Sequence, residues 1–294
     1  LRQWDEKYRG QTSHLFKPRT HTRLGINWWA LYGGGVGGGQ KYYFVQNGRM
    51  GHTFYESGIV NGERKRKFLD AGGARPYGAI IHYWLGEDAK DVSLSILDEN
   101  DQLIKTYEGD MLSQEAGLNR MIWDMNYPDA IAVPGKPAPG IIVQAKVGTY
   151  KAKLAVNGKS QKQTFELKMN PNEKYTAKDS AARFELWWRL RSIFERSNRE
   201  IIAAMELAKE AGEDSEIAKG ANAFSGKLVP QGATLSEIAN EPPKMLSKLT
   251  TVSSVLFHSE GPPSQSAYDV VNEMEKEIDA EIEAWKAFKA KHGK

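Results

Sequence analysis

Between Ala79 and Met169, short β-prone runs alternate with turn residues at spacings that suit a two-sheet sandwich. In Val92-Ser-Leu-Ser-Ile-Leu97 the apolar Val92, Leu94 and Ile96 alternate with Ser93 and Ser95, the period of a strand with one face buried. The same reading predicts strands over 78–85, 102–107, 118–125, 141–147, 149–156 and 163–168, about seven in all. Asp98 to Asp101 makes a polar hairpin turn, and Asn157-Gly158 is a two-residue hairpin signal of type I′, in which both residues take positive φ. Pro134, Pro137 and Pro139 stiffen the connection before Ile141, where a missing N–H removes no ladder bond.

After Asn170-Pro171 the period lengthens. Phe184, Trp187, Leu190, Phe194, Ile201 and Met205 recur at helical spacing behind Thr176-x-x-Asp179, a capping-box start, which predicts a helix from Ala177 to Ala211. Residues 212–243 read as a long polar connection with one short helix near 234–239. A second helix is predicted over 244–257. Gly261-Pro262-Pro263 then breaks the chain, and Ser264 caps a third helix with the stripe Val271, Met274, Ile278, Ile282, Trp285 and Phe288. Three amphipathic helices predict a small antiparallel bundle. The expected class is therefore α+β, an antiparallel Ig/fibronectin-like sandwich over 76–170 followed by a helical bundle over 171–294.

The first 75 residues follow neither period. They carry 13 Lys/Arg against 5 Asp/Glu, whereas 76–170 carry 10 against 12 and 171–294 carry 17 against 20, so the excess base sits wholly in this quarter. It reads as an irregular, aromatic-rich linker segment with short strands, interrupted by six Gly in the seven residues 33–39, a flexible loop. Trp28, Trp29, Tyr32, Tyr42 and Tyr43, with the basic run Arg64, Lys65, Arg66 and Lys67, form the candidate binding surface, suited to a glycan or an acidic protein face. The same aromatics also serve as anchors that fasten loops to a core.

Composition narrows the chemistry further. The chain has 294 residues and no Cys, which excludes disulfides, thiol catalysis and thiolate zinc sites. No apolar run approaches the roughly 20 residues of a membrane-spanning helix. No two of the 6 His stand in HxH, HxxxH or HExxH spacing, so neither a metal nor a cofactor is assigned. The glycine run lacks the Lys-Ser/Thr of a phosphate-binding loop, and no GxSxG elbow is present. Asp124 and Asp129 are the one carboxylate pair placed to suggest glycoside hydrolysis, which needs two carboxyls about 5–10 Å apart. An Asp at a strand end more often accepts from nearby backbone amides, and that assignment is preferred. The acidic turn 98–101 lacks the Gly and closing Glu of a calcium loop. Trp187, Trp188 and Trp285 lie on helical stripes and read as core or interface.

Four segments carry a resemblance: Pro76-Tyr-Gly-Ala-Ile-Ile-His-Tyr-Trp-Leu85, Gly117-Leu-Asn-Arg-Met-Ile-Trp-Asp-Met125, Pro139-Gly140 with Val147-Gly-Thr-Tyr150, and Gly261-Pro-Pro-Ser-Gln-Ser266. In order and spacing they resemble the region after the β-propeller in large bacterial sortilin-like proteins, which carry bacterial neuraminidase (BNR) repeats and are often labelled glycosyl hydrolases. Leu1-Arg-Gln-Trp4 with His14-Leu-Phe-Lys-Pro-Arg19 resembles the linker that leaves the last propeller blade. The resemblance implies a secreted or periplasmic protein with a propeller first, then a sandwich, then a helical tail. The family's repeat signature, Ser-x-Asp-x-Gly-x-x-Trp, does not occur in these residues, so no catalytic residue carries over. A start at Leu1, without Met or a leader, is expected of a processed chain or a piece of a longer one. The expected function is a non-catalytic extracytoplasmic accessory module that packs against a β-propeller, in the same polypeptide or as a partner chain, with no nucleic-acid partner. The alternatives are part of a glycan-active hydrolase whose active site lies mainly in the propeller, or a carbohydrate-binding module.

Overall fold

In the computed structural model the described residues are 3–23, 42–47, 51–60, 63–68, 78–172, 174–232, 241–258 and 261–292. The chain divides into two units, one made of Leu1–Arg23 with Gly78–Lys294 and the other of Leu24–Tyr77. In chain order the strands are β1 (Ser13–Leu15), β2 (His21–Thr22), β3 (Tyr42–Asn47), β4 (Gly51–Val60), β5 (Glu63–Phe68) and β6 (Ala79–Leu85). They continue with β7 (Val92–Leu97), β8 (Leu103–Glu108), β9 (Gly117–Trp123), β10 (Gly148–Val156) and β11 (Lys159–Lys168). Four helices follow among the described residues: α1 (Ala177–Ala211), α2 (Glu216–Leu228), α3 (Met245–His258) and α4 (Gln265–His292). The class is α+β.

In the larger unit two sheets close over one apolar core. The first has the order β1-β6-β9 and the second β2-β11-β10-β7-β8, antiparallel throughout except for the short parallel pairing of β2 with β11. The alternation does what a half-buried strand requires: β6 buries Ala79, Ile81, Tyr83 and Leu85, and β7 buries Val92, Leu94 and Ile96. Trp123 of β9 fills the centre, its ring 5.1 Å from that of Tyr150 and 6.0 Å from that of Phe165. Gly78 is bound to this placement, since its φ is +127° and a Cβ there would lie 2.4 Å from the Trp123 carbonyl oxygen. At the β10–β11 hairpin Asn157 has φ 46° and Gly158 φ 80°, the left-handed pair that the type I′ signal predicts.

The expected boundary at residue 75 differs from the one observed. Residues 3–23 belong with the sheets: Leu15 is fully buried in their core, and β1 pairs with β6. The Gln161 side chain accepts from the Leu15 amide and donates to the Ser13 carbonyl, fastening this segment to β11. Within the smaller unit, β3, β4 and β5 form an antiparallel meander, which joins strands of the first quarter into one sheet. A backbone ladder between Tyr-, Phe-, Val- and Thr-containing runs supplies that order without a clean apolar alternation along them.

Two further expectations are corrected. Residues 141–147 form no strand; a single bridge, Asn126 with Gln144, stands in its place. Ile141 and Val143 point into the helical core and Ala145 into the sheet core, so the segment spans two cores and cannot lie flat along one sheet. The connection after α1 also contains a 13-residue helix, α2. Ser215 caps it, its hydroxyl accepting from the Ala218 amide, and Ile217, Ala221, Phe224 and Leu228 form its buried stripe. Gly220 masked this helix in the sequence; a Cβ there would lie 2.2 Å from the Phe288 ring, so the glycine is set by packing against α4. The short helix expected near 234–239 lies outside the described residues.

The helices share a core built from Leu186, Trp187, Leu190 and Ile193 of α1, Phe224 of α2, Leu249 of α3 and Val271, Ile278 and Trp285 of α4. The capping box is present: the Asp179 amide donates to the Thr176 hydroxyl and the Thr176 amide to the Asp179 carboxylate. Trp187, 1% exposed, donates its indole N–H to the Ser253 hydroxyl of α3 at 2.8 Å.

Candidate functional site

Helix α1 turns its apolar stripe inward, but Trp188 stands one position off that stripe and is 40% exposed. Of the three tryptophans expected at core or interface positions, Trp187 and Trp285 are in the core and Trp188 is at the surface. Phe184 lies four residues earlier on the same face, and the two rings stack with centroids 5.7 Å apart and planes 23° from parallel. Tyr127, from the segment after β9, meets the Trp188 ring edge-on at 4.9 Å. The backbone amide of Tyr127 donates to the Val143 carbonyl at 2.8 Å, which fixes this third ring. Burial, reinforced by the charge of Asp98, pushes the Tyr127 phenol up to about 12.

Cations flank the rings. The Lys146 ammonium lies 6.0 Å from the Phe184 ring centre and the Arg191 guanidinium 5.7 Å from that of Trp188. Arg191 also donates to the Pro128 carbonyl and, at 3.0 Å, to Glu195. The Glu195 carboxylate in turn accepts from the Ile131 amide at 3.3 Å, tying α1 to the loop that carries Tyr127 and Pro128. The three rings line a cleft of about 620 Å³, as do Leu103, Thr149 and Tyr150. The turn 98–102 lines the same cleft, and there one Asp98 oxygen accepts from the Asn100 and Gln102 amides. A second hollow of about 430 Å³ adjoins it through Trp188 and Arg191 and continues along α1 past Glu195, Arg196 and Arg199.

Charge within the two hollows is largely matched internally. Glu99 stands 3.8 Å from Lys146, Glu195 pairs with both Arg191 and Arg199, and Arg196 pairs with Glu275 and Asp279 of α4. The surface therefore offers aromatic faces and short-range donors and acceptors rather than a strong field of one sign.

Trp28, Trp29 and Tyr32 lie outside the described residues. Tyr42 and Tyr43 fall on β3 and Arg64, Lys65, Arg66 and Lys67 on β5, with β4 between, so the aromatic and basic runs occupy opposite edge strands of one meander. The carboxylate pair is committed to structure. Asp129 accepts from the Ala130 and Ile141 amides, each at 2.7 Å, and from the Gly140 amide at 3.0 Å. Asp124 accepts from the Asn126 amide at 3.2 Å and stands 3.6 Å from the Lys105 ammonium. Among the described residues no three of His, Asp and Glu gather into a group that could hold a metal ion. His21 accepts from the Ile80 amide at 3.0 Å, and His14 stacks on Tyr8 at 4.1 Å, with burial lowering its pKa. The turn at Asp101 is a solvated ion-pair cluster, with Lys162 at 2.6 Å and Lys151 at 2.9 Å.

No family model and no curated protein matches this chain. A solved structure similar to part of it is CopC from Methylosinus trichosporium OB3b, at 17% identity over 35% of this chain and 85% of that one. The TM-score of 0.22 is too low for that likeness to carry an argument. No described helix is long and apolar enough to cross a membrane.

Proposed function

We propose that this chain is a non-catalytic, extracytoplasmic accessory module that packs beside a sortilin-like β-propeller, in the same polypeptide or as a partner chain. In this reading the two sheets are an Ig/fibronectin-like sandwich and the helices an antiparallel bundle appended to it. The observation that carries it is the employment of the motif residues: those that bear the resemblance build architecture. The segment 76–85 ends in β6 and 117–125 contains β9, where Gly78 makes room for Trp123. Gly148, at φ 151°, opens β10, and Ser264 caps α4 by accepting from the Ala267 amide. The carboxylates that a glycoside hydrolase would need here are held by backbone amides and Lys105. The basic meander is the proposed contact with the propeller.

The test is the intact mass and N-terminal peptide map of the native polypeptide. A mass above 32.9 kDa with Ser-x-Asp-x-Gly-x-x-Trp repeats upstream supports the reading, as does a separate propeller chain that co-purifies. A native chain with neither would overturn it. Where the propeller is found, reversing Arg64 to Lys67 to Glu is expected to weaken its association with the module while the far-UV spectrum is unchanged; unchanged association would reject the basic contact.

A further inference from the structure

The cleft between the turn 98–102 and α1 lies in the larger unit and does not depend on the propeller contact. We infer that it binds a neutral oligosaccharide, laid across the Trp188–Phe184 platform. Three features point to this ligand class. The first is the exposed indole itself. Leaving a tryptophan 40% exposed on a helix whose stripe already buries Trp187 adds nothing to the core, yet Tyr127 and Arg191 hold that ring in one orientation. An aromatic ring held in place by its neighbours yet partly exposed is a preorganised contact, which costs little ordering entropy on binding.

Charge is the second. Lys146 pairs with Glu99, Arg196 with Glu275 and Asp279, and Arg191 and Arg199 share Glu195, so the cations are largely offset and an anion meets no strong excess of positive charge. What remains is a set of donors and acceptors beside flat apolar rings. A pyranose matches that pairing, because its ring presents C–H bonds on its faces and hydroxyls around its edge. The Tyr127 hydroxyl can both donate and accept, and Asn100, Gln102 and Thr149 also line the cleft.

The third is shape. A cleft of about 620 Å³ lies within the ordinary size range of small-molecule sites. The adjoining hollow of about 430 Å³ shares Trp188 with it, so the surface continues on both sides of the indole. An extended ligand with repeating units uses both hollows; a compact one uses half.

The experiment is titration of the full chain with cellohexaose, xylohexaose, mannohexaose and chitohexaose, and with heparin as an anionic control, followed by calorimetry and tryptophan fluorescence at low and high salt. The expected result is saturable binding of at least one neutral hexasaccharide with a fluorescence shift, little changed by salt. Trp188→Ala should weaken it by about tenfold or more, and Trp188→Phe should restore part of the loss. Met205→Ala, an exposed position on the same helix outside the cleft, should bind as the wild type does. Circular dichroism melts confirm that each variant is folded, and Trp188→Phe keeps the test decisive where the alanine variant does not fold. No binding of any neutral hexasaccharide at millimolar concentration overturns the inference. So does binding that survives in Trp188→Ala, or binding of heparin alone that salt abolishes.

Discussion

Removing the Asp129 carboxylate should unfasten the loop that joins the two cores of the larger unit. That carboxylate accepts from the amides of Ala130, Gly140 and Ile141, drawing together two points 11 and 12 residues apart in sequence. Ala130 is 4% exposed and Ile141 fully buried, and both side chains belong to the helical core, so their amides have little water to turn to. A hydrogen bond to a charged group contributes about 1.5–3 kcal/mol, less where water can replace it. Asp129 is itself only half-buried, and the Gly140 bond is exposed. The sum for Asp129→Ala is then about 2–4 kcal/mol, below the simple total of three. Asp129→Asn keeps one acceptor oxygen for Ala130 and Ile141 but turns an N–H toward the Gly140 amide, and should cost about 1–2 kcal/mol. The assay is urea unfolding followed by near-UV circular dichroism, which reads the buried indoles of Trp123 and Trp187. A loss below about 0.5 kcal/mol for Asp129→Ala, or equal losses for the two variants, would refute the clamp. If Asp129→Asn instead left stability unchanged and abolished a measurable glycosidase activity, the carboxylate would be catalytic and the accessory-module reading would fall with it.

Gly220→Ala should lower the melting temperature, although alanine favours an isolated helix over glycine by about 1 kcal/mol. The new methyl would lie 2.2 Å from the Phe288 ring, which stacks on Trp285 and His292 and cannot move without losing those contacts. In a Phe288→Ala background the same change should stabilise, and a calorimetric scan that finds one sign in both backgrounds would contradict the argument. Asp101 supplies a pH test. Hydrogen bonds from Lys162 first and Lys151 second hold its carboxyl below the usual carboxylate range. A depressed folded-state pKa stabilises above the unfolded value and is lost as pH falls through the folded one. The melting-temperature gap between wild type and Asp101→Asn should therefore be fully present near neutral pH and close as the solution is taken below about pH 4. Asn tolerates the φ of 63° at this position, so the backbone is kept, and a gap that widened in acid would reject the assignment.

The regular elements that the sequence revealed are those whose burial has a single direction. β6, β7, α1 and α4 each face one core, and their periods of two or 3.6 residues survive intact. The segment 141–147 does not form the expected strand because its apolar residues serve two cores: Ile141 and Val143 one, Ala145 the other. Helix α2 was missed because Gly220 and Gly226 look like breakers until the ring of Phe288 is seen lying over the first of them. The cleft was missed for a related reason. Trp188 follows Trp187 directly, and only its offset from the buried stripe Leu186, Trp187, Leu190 and Ile193 marked it as the outward member of the pair.

The sequence by itself determined the local rules: alternating runs that become strands, Thr176 and Ser264 as helix caps, Asn157-Gly158 as a left-handed turn, and the absence of thiol chemistry. Each depends on neighbours within a few residues, where backbone geometry and hydrogen-bond capacity are enough to decide. Only the tertiary structure decided which core each apolar residue joins, that Asp129 is a clamp, and that Tyr127, Phe184 and Trp188 meet beside a turn more than twenty residues upstream. Those outcomes depend on which distant surfaces share a volume once water is excluded, and no local period encodes that.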